Sequence, residues 1–478
     1  MPEYRKFVEF IDEQLALRKW KPIDLARAMK VQQGQVTKIL KPKSEEYEPD
    51  LSTLRKLAKA FGISVDKLTP YFVHDENWDV TDLNGENSWN LGFSVEEVFG
   101  RSREMDTLTE YCDRNKLIFI AGLAGIGKSS LAKSLQHLVS DKFDAVIFLR
   151  LNFNLAIADI AEAMRERSNV QLSSNAIADI IKALNEKRYL LILDGLDIDD
   201  PDHSQDYHHL LEQIAETEHK SCAIVTCCSL PKKYRSWYPL PKVVTLKGLD
   251  EIDVIQLLEN KGLEIESQKI HVQELIKRHD GNPDSLIYAI QDVFDLNQGD
   301  VKAYLNCNTF GAKHIKEQIT GIFGRLSRLE LELLYWLALQ NKAFKISEII
   351  TIFPDHYKIS MHRDDVQDAL DELIRRSLLQ HEIEFTLSQA VQLCAEDYLS
   401  RTLSREIKKL NVDSLGYLRS IELRHEKVKL RDRISRSCSE ETLCQALNKL
   451  EDPSNRLSAN AIGYAIANLR YLLGKDVE

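Results

Sequence analysis

Between positions 122 and 129 the chain reads Gly-Leu-Ala-Gly-Ile-Gly-Lys-Ser, a spacing of glycines, lysine and hydroxyl suited to a phosphate chain. Gly122, Gly125 and Gly127 let the backbone curl so that its N–H groups, that of Ile126 included, face the phosphates. Lys128 is expected to reach the β- and γ-phosphates. Ser129 is expected to place its hydroxyl on Mg²⁺, with Ser130 next to it in the opening helix turn. The apolar run Leu117–Ala121 leads into the loop and the helical pattern over 129–138 leads out, so a helix N-terminus adds its partial positive charge. The ligands implied are ATP, ADP or a close relative, with Mg²⁺.

Downstream, Arg188-Tyr-Leu-Leu-Ile-Leu-Asp194-Gly-Leu-Asp197 reads as an apolar strand ending in an acid. A carboxylate at the carboxyl end of such a strand can hold Mg²⁺ through water, and Asp194 is the metal residue expected. Asp197 fits either of two roles, polarising the attacking water or capping a helix. The run Asp199, Asp200, Asp202, His203, Asp206, His208 and His209 lacks any fixed ligand spacing, so it reads as a solvated polar loop.

The elements that must position these residues alternate in type. Apolar runs at Leu117–Ala121, Ala145–Leu149, Tyr189–Leu193, Ala223–Thr226 and Val243–Leu246 are separated by helical patterns, the signature of a parallel α/β sheet. Beyond Gly248 the pattern is helical, apart from a short β-wing expected near 378–387. The fold class expected is multidomain α and α/β. Its parts are an N-terminal helix-turn-helix bundle over 1–72, a linker over 73–98, a P-loop α/β domain over 99–247, a helical domain over 248–312, a winged-helix domain over 313–400 and C-terminal helices over 401–478.

Hydrophobic residues make up 44% of the chain and charged residues 29%, enough apolar material for several cores in a soluble chain. No apolar run reaches the roughly 18 residues of a membrane span, and the first residues lack a signal-peptide core. The eight cysteines show no C-x-x-C pair and read as reduced thiols, with Cys227 and Cys228 at the end of a buried strand. A cytoplasmic location with no membrane partner is therefore expected.

The net charge of −11 argues against nucleic acid, but its distribution does not. Residues 1–70 carry 14 basic against 10 acidic residues, and the other 408 carry 49 against 64. Eight of the basic residues fall within 18–43, opposed by Asp24 alone. A local basic patch on an acidic chain marks a separate nucleic-acid module. The segment 21–43 reads as helix, tight turn, helix, and it resembles the XRE/Cro-type helix-turn-helix with Gln32–Leu40 as recognition helix. Gln32, Gln33 and Gln35 stand where side chains can reach base edges, and glutamine can pair with adenine. Lys38, Lys41 and Lys43 read as phosphate contacts. Pro22 stands where many relatives carry a polar phosphate contact, and a helical adaptor that binds protein is the other reading of this bundle.

A second resemblance rests on an ordered set of motifs. Phe99-Gly-Arg101 with Glu104, the loop at 122–129, Phe143-Asp144, the 190–197 segment and Ala223–Cys228 resemble the NB-ARC/NACHT-type signalling NTPases, the STAND class. The segments 245–258, Gly281-Asn-Pro283, 326–339 and 370–379 are similar to its helical and winged-helix parts. The resemblance implies a nucleotide held between the α/β and winged-helix domains, with ADP for off and ATP for on. It also implies that Arg101 borders the adenine and that Pro283 packs near base and ribose. Two positions depart from the family. Cys228 stands where an arginine senses the γ-phosphate, and Ser388 stands at about the place of the histidine that contacts the ADP β-phosphate. Slow hydrolysis follows from the missing arginine.

The function expected is an ATP/ADP-switched, DNA-binding regulator that forms a homo-oligomer in the ATP state. The alternatives are a defence-type STAND NTPase whose N-terminal domain recruits a protein effector, and a plain ATPase. Many STAND proteins continue into sensor repeats. With the sequence ending at Glu478, the input is expected from the 401–478 helices, a partner protein or the nucleotide.

Overall fold

The computed structural model describes residues 7–8, 10–11, 14–15, 18, 20–29, 33–40, 57, 98–151, 156–165, 175–196, 204–306, 313–357, 362–409, 417, 428–451 and 459–474. The chain forms two compact units, one of residues 1–97, 136–196 and 200–225, the other of residues 98–135, 197–199 and 226–478. It is multidomain and mostly helical, with one five-stranded parallel sheet.

In the first unit, α1 (Pro22–Met29) and α2 (Gln33–Leu40) pack around Phe7, Ile11, Leu25, Met29, Val36 and Ile39. Pro22 opens α1, where its missing N–H has no partner to lose. Asp24 accepts from the Lys21 N–H at 2.8 Å. The linker expected over 73–98 lies outside the described residues, Val98 excepted.

The α/β part contains α3 (Ser102–Arg114), β1 (Leu117–Ala121), α4 (Lys128–Val139), β2 (Ala145–Arg150), α5 (Ile157–Arg165), α6 (Ala176–Glu186), β3 (Tyr189–Leu196), α7 (Ser204–Glu216), β4 (Cys222–Cys227) and β5 (Lys242–Thr245). The sheet order is β2-β3-β4-β1-β5. Ala145 stands opposite Tyr189 and Arg150 opposite Asp194, while Ile118 pairs with Lys242 and Ala121 with Thr245. Every residue of β1 and β4 is buried. Strands buried on both faces, as in parallel sheets, read as near-continuous apolar runs.

The strand β3 continues to Leu196, two residues past Asp194. One local expectation changes. The expected polar loop is in part helix: Asp206, His208 and His209 lie on α7, where Tyr207, Leu210, Leu211 and Ile214 are buried at helical spacing. Among the described residues no cluster of His, Cys, Asp or Glu could hold a metal ion.

In the second unit, α8 (Glu251–Asn260), α9 (Lys269–Arg278), α10 (Pro283–Asn297) and α11 (Val301–Asn306) share a core of Val254, Leu258, Leu275, Leu286 and Val293. A larger core joins α12 (Lys313–Phe323), α13 (Arg328–Gln340), α14 (Ile346–Tyr357) and α15 (Arg363–Arg375) to the helices that follow. Ser327 and Glu330 form a capping box at the start of α13, which locks the entry of its apolar stretch. The hairpin β6 (Gln380–His381) and β7 (Phe385–Thr386) lies within the stretch where a wing is expected. Next comes α16 (Gln389–Lys409), a continuous helix through 400/401, then α17 (Val428–Ser437), α18 (Glu440–Glu451) and α19 (Ala459–Leu472). No described helix is long and apolar enough to cross a membrane.

Candidate nucleotide site

The loop Gly122–Gly127 connects the end of β1 to α4 and is tied down from several directions. The Gly122 N–H donates to Cys227 O at 3.3 Å, fastening the loop to the end of β4. Gly125 has φ +73°, and a Cβ there would come within 3 Å of Ile315 Cδ1, Asn282 Oδ1 and Asp284 Cβ. Only glycine combines that conformation with so close an approach. At Gly127, φ is +96° and a Cβ would meet nothing within 4 Å, so the backbone there faces open space. That opening, with a helix N-terminus behind it and a lysine beside it, suits a polyphosphate.

Lys128 turns its ammonium back over the loop. Its Nζ donates to Gly122 O at 2.9 Å, to Leu123 O at 2.8 Å and to Cys228 Sγ at 3.4 Å. The Cys228 carbonyl in turn accepts from Ser377 Oγ at 2.9 Å. Cys228 is therefore bonded through its side chain to the phosphate loop and through its backbone to the turn after α15. Ser129 and Ser130 open α4. Asp194 is 4% exposed, with Leu151 N donating to its carbonyl at 2.8 Å. Asp197 lies outside the described residues.

Arg101 is 4% exposed, and its guanidinium bonds to the protein. It donates to Glu104 Oε1 at 2.9 Å, Ile126 O at 3.0 Å and Lys247 O at 2.6 Å. The side chain expected beside the adenine thus holds the phosphate loop to the segment after β5. Pro283 occupies the first turn of α10 behind Asn282, whose Oδ1 accepts from Ser285 N at 3.1 Å. The Asn282 Nδ2 donates to Ala124 O at 2.9 Å, and the Asp284 N–H donates to Gly125 O at 3.2 Å. Two carbonyls of the phosphate loop are thus held from the start of α10. Asn282 was visible as the middle residue of Gly-Asn-Pro, but nothing in its type names a carbonyl 158 positions away as its partner.

Two titratable groups sit just before that motif. His279 is buried against Ser285 Oγ at 2.5 Å and Tyr304 OH at 3.3 Å. Burial, helped by the neighbouring Arg278 charge, lowers its pKa to about 4, so the ring is neutral. Asp280 accepts from Ala390 N at 3.2 Å at the start of α16. Burial raises its carboxyl to about 6 in spite of hydrogen bonds from Ala390, Gln389 and Ser388. Ser388 is buried and accepts from Val391 N at 3.2 Å, so it works as a helix cap together with Asp280.

A third tie starts at the end of β4. Leu230 N donates to Arg375 O at 2.9 Å, and Arg375 Nη1 donates back to Leu230 O. The same guanidinium grips Glu372 through Nε and through Nη2 at 2.9 Å. Burial alone would raise the Glu372 carboxyl, but the Arg375 bonds and charge, with Lys232 and Arg376, outweigh it and hold the pKa below its ordinary value.

Of the residues expected to contact DNA, Gln33, Gln35 and Lys38 lie in α2, with no described side chain. Gln32, Lys41 and Lys43 lie outside the described residues.

A five-stranded parallel sheet with a glycine-lysine loop after β1 defines a P-loop-like α/β nucleotide-binding domain. Residues 97–227 match the AAA ATPase domain family, which implies nucleotide binding, typically with Mg²⁺. Residues 11–70 match the Cro/C1-type HTH DNA-binding domain family. The chain thus carries an ATPase domain and a helix-turn-helix domain of DNA-binding type. An uncharacterized WD repeat-containing protein of Nostoc sp. is 27% identical over 351 residues, covering 67% of this chain and 27% of that protein. The chain spans about a quarter of that relative's length. Among solved structures, a Walker-type ATPase of Pyrococcus abyssi matches 63% of this chain and 96% of its own at 14% identity and TM-score 0.46. A STAND protein with a tetratricopeptide repeat sensor from Pyrococcus horikoshii matches 79% and 56% at 17% identity and TM-score 0.33.

Proposed function

We propose that this chain is a nucleotide-controlled, DNA-binding regulator of the STAND type, in which ATP and ADP set two arrangements of one protein. The observation that carries the reading is the double attachment of Cys228, by its sulfur to Lys128 and by its carbonyl to Ser377. A phosphate that draws Lys128 away from the Cys228 sulfur acts on a residue already bonded to the end of α15. The helices and hairpin over 313–400 take the winged-helix role in this reading, and the 248–312 helices take that of the NB-ARC helical domain.

The loop Gly122–Ser130 receives the phosphates, and Pro283 borders the base. Arg101 acts on the nucleotide through the loop it holds. Ser129 and Asp194 are the residues that would hold Mg²⁺, which when bound would supply charge neutralisation for the phosphates. Asp197 orients the attacking water. No arginine stands at Cys228, so hydrolysis is slow and the bound nucleotide sets the state. In the ATP state the chain self-associates. Grouping several helix-turn-helix domains raises DNA affinity through effective concentration, with Gln32, Gln33 and Gln35 reading bases and Lys38, Lys41 and Lys43 on phosphates.

Mass measurement of the full chain in ADP and in a slowly hydrolysed ATP analogue tests the assembly step. A larger species with the analogue, absent in Lys128→Ala, is the expected result. A single mass under both conditions contradicts it.

A further inference from the structure

The stretch 229–249 contains Lys232, Lys233, Arg235, Lys242 and Lys247 and no acidic residue. This stands against the chain beyond residue 70 as a whole, where acids exceed bases by 64 to 49. The loop between β4 and β5 holds most of these charges, and it is built rather than loose. Leu230 is pinned to Arg375 at one end, and β5 begins at Lys242 at the other. Within the loop, Tyr234 N donates to Pro231 O at 3.3 Å, Ser236 N to Lys233 O at 2.9 Å and Trp237 N to Tyr234 O at 3.3 Å. Trp237 is buried with its ring 6.4 Å from that of Phe119 on β1, and Tyr234 meets the same ring edge-on at 6.2 Å. With the aromatic anchors turned inward, Lys232, Lys233 and Arg235 are exposed, and Tyr238 beside them is 83% exposed.

We infer that this loop is a second DNA-contacting surface, in which Lys232, Lys233 and Arg235 bind phosphates of the duplex backbone and Tyr238 lies against the sugar-phosphate edge. Three features favour this occupant. The charges are exposed and of one sign, whereas duplex DNA carries dense negative charge along its length. The loop is held in place before binding, so less ordering entropy is lost when it docks. Their described partners are weak ones that phosphate can outcompete: Arg235 pairs with half-exposed Asp371 at 3.9 Å and donates to Tyr234 OH at 3.2 Å, and the exposed Lys232 acts on Glu372, which Arg375 already holds. Contacts of this kind position without reading sequence, which complements the base-reading role proposed for the glutamines.

The inference rests on the DNA-binding reading, and the test separates the two. Binding of the full chain to a labelled mixed-sequence duplex is followed by fluorescence anisotropy across about 50–200 mM salt. Replacing Lys232, Lys233 and Arg235 together by alanine is expected to weaken binding about 10–100-fold at the lower salt. The slope of log affinity against log salt should become shallower by about 0.9 for each phosphate that is no longer neutralised. Nucleotide affinity, measured in parallel, should stay as in the parent, which also reports that the variant is folded. Asp371→Asn, which frees Arg235 and removes a competing charge, is expected to tighten DNA binding about 2–5-fold. An unchanged affinity and slope in the triple variant, with the parent binding normally, would overturn the second surface alone. A parent chain that binds no duplex would overturn the DNA-binding reading, and this surface with it.

Discussion

The Lys128 ammonium lies 3.4 Å from the Cys228 sulfur, a thiol at the place where the STAND resemblance implies an arginine. A thiol is a weak partner for an ammonium and gives no charge to a γ-phosphate, so this site is expected to separate ATP from ADP poorly. Cys228→Arg should raise the preference for a slowly hydrolysed ATP analogue over ADP about 10–100-fold, the worth of one charge-assisted contact. Cys228→Ser should leave the preference within about threefold. Calorimetric titration of both nucleotides into each variant checks the pair, and an equal change in both affinities for Cys228→Arg would rule out the discrimination role.

Asn282 does two things at once, and two substitutions separate them. Asn282→Ser keeps an acceptor that can cap α10 but is too short to donate to Ala124 O, so nucleotide affinity should fall about tenfold with a smaller loss of stability than Asn282→Ala. Asn282→Ala loses both and should also cost about 1–3 kcal/mol of stability. Urea unfolding followed by circular dichroism, alongside nucleotide titration, distinguishes the two outcomes.

The Arg375 guanidinium joins Glu372 to the Leu230 carbonyl and is buried. Arg375→Leu leaves both acceptors without their donor, and the expected loss is about 2–4 kcal/mol in thermal or urea unfolding. Arg375→Lys should recover little of it, because an ammonium cannot span two Glu372 oxygens and a carbonyl in one plane.

Asp280 and His279 make opposing contributions to the pH dependence of stability. Asp280 has its pKa raised from 3.8 to about 6, so its contribution is present at low pH and is lost as pH rises through that range. His279 has its pKa lowered from 6.5 to about 4, so its contribution is present above 6.5 and is lost as pH falls toward 4. Between those values the folded chain holds a proton on Asp280 that the unfolded chain lacks, and lacks one on His279. The two effects nearly cancel. Asp280→Asn removes the first, so relative to the parent its stability should fall on acidification from pH 6.5 to 4 by about 3 kcal/mol. Urea midpoints of parent and variant across that range decide the matter, and parallel curves would refute the assignment.

What could be read along the chain followed from periodicity and spacing. The phosphate loop, the apolar strands and the alternation that makes the sheet parallel are local patterns, and strand ends moved by only a few residues. The first turns of α7 read as loop because Asp206, His208 and His209 are interleaved with Tyr207, Leu210, Leu211 and Ile214, whose spacing makes the helix. The ties that set the phosphate loop were invisible for a different reason. Asn282 to Ala124, Arg375 to Leu230 and Arg101 to Lys247 each end on a backbone carbonyl far away in sequence. Every residue has a carbonyl, so the acceptor leaves no trace in residue type. Ser388 is the same lesson in reverse: the serine is fully used as a cap beside Asp280, a role that motif comparison does not contain.

The central claim is that nucleotide controls DNA binding. The direct measurement is the affinity of the full chain for one duplex in ADP and in a slowly hydrolysed ATP analogue, repeated with Lys128→Ala. The account predicts binding at least about tenfold tighter with the analogue, and no difference between nucleotides in the variant. Equal affinity of the parent chain in both nucleotides would contradict it.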